Sequence, residues 1–245
     1  MKATIYQGHC PRLPRSDVNI VIDVVRAFTV AHFAFLRGAR EIILAGTEGD
    51  AFLLKEKNPG YLLAGEVQGL PIPGFDFDNS PARMAGADVR GRTLVQKTTN
   101  GVRAALNALD ADAVFVTGFS NARTTAEYVL KRWPPGSIVN IIASHPDGDD
   151  DLACAEFIKG VLQGDECISV EAVAERIRCS GPARKFFDSS RPEFQAEDIA
   201  FCTREMPGRF VMHVDCTGEL PTIVRVNNDE LYRIGPARKR SEAEV

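Results

Sequence analysis

Short apolar runs recur along this chain, each followed by a stretch with helical patterning, and that alternation constrains the fold more than any other feature. Asn19 to Val25 is a β-branched run interrupted only by Asp23, which suits a strand covered on both faces. Ala27 to Leu36 is apolar at nearly every position and is followed by Gly38, as expected of a buried helix with a glycine C-cap. Glu41 to Ala45 reads as a strand, Glu48 to Lys57 as a helix and Gly60 to Ala64 as a third strand before Gly65-Glu66. After a long loop the beat resumes: strands at Thr93 to Lys97, Ala113 to Thr117 and Ile138 to Ala143 alternate with helices at Val102 to Leu109, Asn121 to Arg132 and Asp151 to Leu162. This pattern predicts an α/β fold with three layers, α/β/α, around a largely parallel, mixed sheet. Phe210 to Val214 and Thr222 to Val226 alternate apolar and polar residues around Gly218 and predict a C-terminal antiparallel hairpin or edge pair. With no repeat or linker in view, residues 1–236 are expected to form one domain, followed by a charged, disordered tail over 237–245.

Composition narrows the function classes. In 245 residues, 29 basic and 33 acidic side chains leave a net charge of -4, so no domain-wide basic field supports a nucleic-acid partner. No stretch approaches the roughly 20 apolar residues that span a bilayer, and the N-terminus lacks the apolar run of a secretory signal. A cytoplasmic location follows as the expectation, with no membrane partner. The six cysteines, Cys10, Cys154, Cys167, Cys179, Cys202 and Cys216, lack zinc or redox spacing and read as small buried hydrophobes.

In parallel α/β sheets ligands bind beyond the carboxyl ends of the strands. Asp23 and Arg26 fall there after the first strand, Gly65-Glu66 after the third, Thr98-Thr99-Asn100-Gly101 after the fourth and His145 to Asp151 after the sixth. Asp23 in an apolar strand must be paired, metal-bound or emergent; an ion pair with Arg26 or a cap on the helix at Ala27 is the plainer alternative. The haloacid dehalogenase pattern fails, because Val25 stands where its second acid belongs. The Thr99-Asn100-Gly101 turn, with Arg103 one turn on, suits an anion at a helix start, against the plainer reading of an N-cap at Thr99 or Asn100. No dinucleotide or P-loop sequence is present. In the long loop from Glu66 to Gly91, Asp76, Asp78, Asn79 and Ser80 offer oxygens to a hard cation, or make local Asx turns. Asp147 to Asp151 lacks the terminal glutamate of an EF-hand and reads as an acidic helix start.

Taken together, these segments resemble the 2-phosphosulfolactate phosphatase family, the Mg²⁺-dependent phosphatases of coenzyme M biosynthesis. The carrying residues are Val-Ile-Asp23-Val-Val-Arg26-Ala27, Leu-Ala-Gly65-Glu66, Gly74-Phe-Asp76-Phe-Asp78-Asn79-Ser80-Pro81, Thr98-Thr-Asn100-Gly101-Val-Arg103-Ala104, Gly118-Phe-Ser-Asn121-Ala122 and Asp150-Asp151-Leu-Ala-Cys154-Ala155. The resemblance implies hydrolysis of 2-phospho-3-sulfolactate to 3-sulfolactate and phosphate. It points to Asp23, Glu66 and Arg26 as catalytic and to Asp23, Glu66 and Asp76 as ligands of Mg²⁺, with Asp150 and Asp151 as outer candidates. The substrate or phosphate set would be Thr99, Asn100, Gly101, Arg103, Asn79, Ser80 and Asn121. Val67, Asp78 and Glu156 stand where the family commonly has arginine, glycine and glycine. They leave three alternatives: a phosphatase of the family with a non-sulfonated substrate, a non-catalytic anion-binding protein, and a purely structural α/β subunit. The partner expected is a small phosphorylated organic acid, and a homodimer is the base-rate expectation for soluble α/β enzymes.

Overall fold

A computed structural model describes residues 1–165, 169–206 and 208–229. The proposed tail over 237–245 and Cys167 lie outside these described residues. The apolar runs form the strands they predict: β2 (Ser16–Ile22), β3 (Glu41–Leu44), β4 (Leu62–Val67), β6 (Thr93–Lys97), β7 (Ala111–Thr117) and β8 (Ile138–Ala143). Along β2 the side chains alternate between two cores. Ile20 and Ile22 pack on one face and Val21 on the other, which is why the run is continuously apolar. The helices between them are α1 (Ala27–Leu36), α2 (Glu48–Lys57), α4 (Gly101–Asn107), α5 (Ala122–Arg132) and α6 (Asp149–Gln163). Every residue of α1 from Ala27 to Phe35 is buried, as a helix that is apolar all round requires. A capping box between Thr47 and Asp50 fixes the start of α2.

Several elements differ from the sequence reading. The N-terminal segment forms β1 (Lys2–Gln7), and the long loop contains β5 (Leu70–Pro71) and α3 (Pro81–Gly86). Residues 170–202 hold α7 (Val170–Cys179), α8 (Gly181–Arg184) and α9 (Ala196–Cys202), with a 3-10 turn at Lys185–Phe187. Gly65 and Glu66 lie within β4, because its last residues pair with β5. Of the cysteines described, Cys154 and Cys202 are buried, whereas Cys10 and Cys179 are exposed.

β9 (Phe210–Asp215) and β10 (Thr222–Asn227) are antiparallel as expected, but they sit in the middle of the sheet and not at its edge. The ten-stranded order is β1-β8-β2-β7-β9-β10-β3-β6-β4-β5, so β9 and β10 join two parallel sets, β1-β8-β2-β7 and β3-β6-β4. Their antiparallel pairings give the two sets opposite nominal senses. Right-handed twist of about 20–25° per strand pair rotates one set toward the other along the sheet. The carboxyl ends of β2 and β6 therefore meet: a Cβ placed on Gly101, after β6, would lie 2.5 Å from Oδ2 of Asp23, after β2. Among the described residues no helix is long and apolar enough to cross a membrane.

Candidate functional site

Asp23 leaves the buried strand β2 with 6% of its surface exposed. Its Oδ1 accepts a hydrogen bond from the Ala27 amide at 2.8 Å, so it caps α1, and the Gly101 amide faces the same carboxylate. The alternative pairing with Arg26 is not made. Two further acids arrive from the start of α6. Asp151 accepts bonds from the Val24 amide (2.7 Å), the Ser144 hydroxyl (2.9 Å) and the His145 amide (3.0 Å). Asp150, 1% exposed, keeps its Oδ1 without a hydrogen-bond partner. Burial first, and then the Asp151 charge, pushes Asp23 up to about 8. Burial and the Asp23 charge push Asp150 up to about 7, and burial with the Asp150 charge pushes Asp151 up to about 8. The acids expected to be peripheral are thus electrostatically coupled to Asp23.

Arg26 turns to residues that no local motif marked. Its Nη1 donates to Asp198 on α9 at 2.8 Å, its Nη2 donates to the Gly69 carbonyl at 3.1 Å, and its guanidinium lies 4.8 Å from the centroid of the Phe186 ring. Asp198 also accepts from the Ser80 hydroxyl at 2.5 Å and the Ala82 amide at 3.2 Å, so one buried carboxylate ties the arginine to the start of α3. Ser80 is therefore a helix cap held by Asp198.

Glu66 braces two turns. Its carboxylate accepts from the Thr99 amide (2.5 Å), the Thr99 hydroxyl (2.9 Å) and the Gly69 amide. The expected anion cradle at the start of α4 is largely used up by such bonds. Asn100 is the N-cap residue, one of the two positions of the plainer reading, but the side-chain bond comes from Thr98, whose Oγ1 accepts from the Val102 amide at 2.9 Å, and the Thr99 and Gly101 amides face carboxylates. Only the Asn100 side chain makes no capping bond. Arg103 is exposed and does not line the cleft, since α4 buries residues 101, 102, 104 and 105 and 103 falls on its outer face. Asn121 is locked inside the fold with Thr117 and Thr125. Asp76 accepts from the Leu63 amide at 2.7 Å and pairs with Lys55 at 3.2 Å, because its loop runs along β4 there, and it stands apart from the cleft.

What remains converges on a cleft of about 240 Å³ bordered by Asp23, Arg26, Glu66, Asn79, Asn100 and Lys185. Asn79 is buried and its Oδ1 has no partner. His145 also lines the cleft, and burial holds it below the usual histidine range. Acids from β2 and α6 thus approach cations from α1 and the Lys185 turn, an arrangement that suits an anion and a cation bound together. Lys185, Phe186 and Asp198 escaped the sequence reading because they lie beyond the alternating part of the chain and meet Arg26 only through tertiary packing.

Residues 9–215 match the family model of 2-phosphosulpholactate phosphatase. The chain belongs to that family. It is 55% identical over 226 residues, 92% of this chain and 99% of the relative, to a Bacillus subtilis protein named "Probable 2-phosphosulfolactate phosphatase". A Carboxydothermus hydrogenoformans protein of the same name is 30% identical over 85% of this chain and 82% of its own length. One from Deinococcus radiodurans is 44% identical over 60% of this chain and 62% of its own length. Against the usual 2-phosphosulfolactate phosphatase pattern, the departures at 67, 78 and 156 fall outside the cleft lining. Asp78 is paired with Arg83 at 3.0 Å and Glu156 with Arg176 at 2.5 Å, so the two extra acids are neutralised locally.

Proposed function

We propose that the protein is a Mg²⁺-dependent phosphoric monoester hydrolase acting on a small phosphorylated hydroxy acid, 2-phosphosulfolactate, to give 3-sulfolactate and phosphate. Family membership and the relatives' names support the reaction. The observation that carries it is the meeting of Asp23, on which the charges of the α6 acids act, with Arg26 in one cleft. Phosphoryl transfer needs positioning and charge neutralisation more than covalent chemistry. Arg26, fixed by Asp198, presents its guanidinium to the phosphate, and Asn100 adds an uncommitted amide. Asp23, which burial and the neighbouring acids hold above the ordinary aspartate range, either takes the proton of the attacking water or attacks phosphorus itself. Stereochemistry at phosphorus separates these routes: an ester chiral at phosphorus is inverted by direct attack of water and retained by two displacements through an aspartyl phosphate.

Among the described residues no group of three or more His, Cys, Asp and Glu forms a ready-made metal cage. The donors do fit an ion held loosely, since Mg²⁺ commonly uses one or two carboxylates and keeps its waters and the substrate's phosphate. Asp23 and Asn79, which line the cleft, are the residues that would hold it, Asn79 through its unpartnered Oδ1, while Asp150 acts on Asp23 through its charge. Bound there, Mg²⁺ would relieve the repulsion among the acids and withdraw charge from the phosphate. Glu66 is a brace and Asp76 stands outside. The test is phosphate release from a panel of monoesters, with Mg²⁺ and with chelator; no Mg²⁺-dependent release from any of them would overturn the proposal.

A further inference from the structure

One cation in the cleft has no partner in the chemistry described so far. Lys185 begins the 3-10 turn after α8, and its ammonium lies 4.6 Å from the Phe194 ring centroid and 5.8 Å from that of Phe186. Among the described residues it forms no salt bridge or hydrogen bond, whereas Arg26 beside it is committed to Asp198 and Gly69. It lies close against the Gly69 backbone, where a Cβ would come within 2.7 Å of Nζ. Burial first, and then the Arg26 charge, holds Lys185 below the usual lysine range, so the surroundings disfavour a charge left without an anion. A phosphate held by Arg26 leaves this second cation for another anionic group of the same molecule.

We infer that Lys185 is the specificity residue of the cleft, binding the non-transferred anionic group, carboxylate or sulfonate, of a polyanionic phosphate ester. The inference rests on the phosphatase reading for its substrate and on the cleft geometry for its residue. A fixed anion on the carbon skeleton meets an ammonium that is already half-buried and poorly solvated, so the charge-assisted bond is formed with little further desolvation.

The test compares wild type with Lys185→Gln and Lys185→Arg on 2-phosphosulfolactate, 2-phospholactate and p-nitrophenyl phosphate. Lys185→Gln should lower kcat/KM by about 10- to 100-fold on substrates carrying the recognised group, through KM more than kcat, with Lys185→Arg restoring most of it. A loss on both acids identifies the carboxylate, and a loss on 2-phosphosulfolactate alone identifies the sulfonate; the loss on p-nitrophenyl phosphate, which carries neither group, should be at least about 10-fold smaller. Equal loss on all three substrates, or none on any, would overturn the inference. Calorimetry with 3-sulfolactate keeps the residue separate from the reaction. Even if wild type releases no phosphate, binding by wild type that weakens at least 10-fold in Lys185→Gln supports the role of Lys185, and equal binding refutes it.

Discussion

An aspartate at the mouth of an apolar strand must find hydrogen-bond donors or hold a proton, and Asp23 is placed to do both. The folded-state values of Asp23, Asp150 and Asp151, about 8, 7 and 8, lie above the ordinary 3.8. The folded protein therefore binds more protons than the unfolded chain above pH 4, and these groups make stability fall as pH rises toward 8. His32 and His213 act in the opposite sense. Burial lowers both from 6.5 to about 4, so their contribution is lost as pH falls from 6.5 toward 4. Between pH 6.5 and 8 the acids act without them. In chelator, Tm should drop across that interval, and added Mg²⁺ should raise Tm more at pH 8 than at pH 6; thermal melts that are flat with pH and blind to Mg²⁺ would count against the acid cluster as a cation site. Asp23 and Arg26 were legible in the sequence because each breaks an apolar pattern. Asp198 and Lys185 were not, because nothing local distinguishes them from surface charges until α9 and the 3-10 turn pack against Arg26.

Helices α1 and α2 begin and end where the sequence places them, since their apolar pattern and the Thr47–Asp50 box are local signals. The start of α4 was legible as a functional turn, yet its amides serve to shape the cleft more than to receive an anion. Gly101 is a tight point beside Asp23. A methyl group there would meet Asp23 Oδ2 at 2.5 Å and the Ala27 Cβ at 2.9 Å, both held by the start of α1. Gly101→Ala should cost about 1–3 kcal/mol by urea unfolding, as overpacking does, and should reduce turnover by more than the stability loss explains, because Asp23 itself is displaced. Full activity in that variant would show that Asp23 can move without consequence. Of the missed helices, α7 carries a legible signal, with apolar residues at 170, 173, 174 and 177 after the Ser169 cap, whereas α8 and α9 are too short to show a period.

Across the whole molecule, alternation announced the α/β class, but strand order depends on pairings between distant segments. β1 pairs with β8 and β10 with β3, and neither neighbour is close in sequence. The central position of β9 shows in the burial of Phe210 to Val214, His213 included, which an edge strand would not require. Phe115 on β7 packs at this seam, fully buried against His213, Tyr128 and Trp133. Phe115→Ala should therefore destabilise the protein by about 3–5 kcal/mol in urea unfolding; a loss below about 1 kcal/mol would mean that the seam does not hold the two strand sets together. The seam matters to function because it brings the ends of β2 and β6 to one cleft. The direct test of that cleft is the rate of phosphate release from 2-phosphosulfolactate in Mg²⁺ by wild type and by Asp23→Asn, an isosteric change with Tm measured alongside. A phosphatase centred on Asp23 predicts a fall of about 10²–10⁴-fold with the fold intact; equal rates in the two proteins, or no release by wild type, would contradict it.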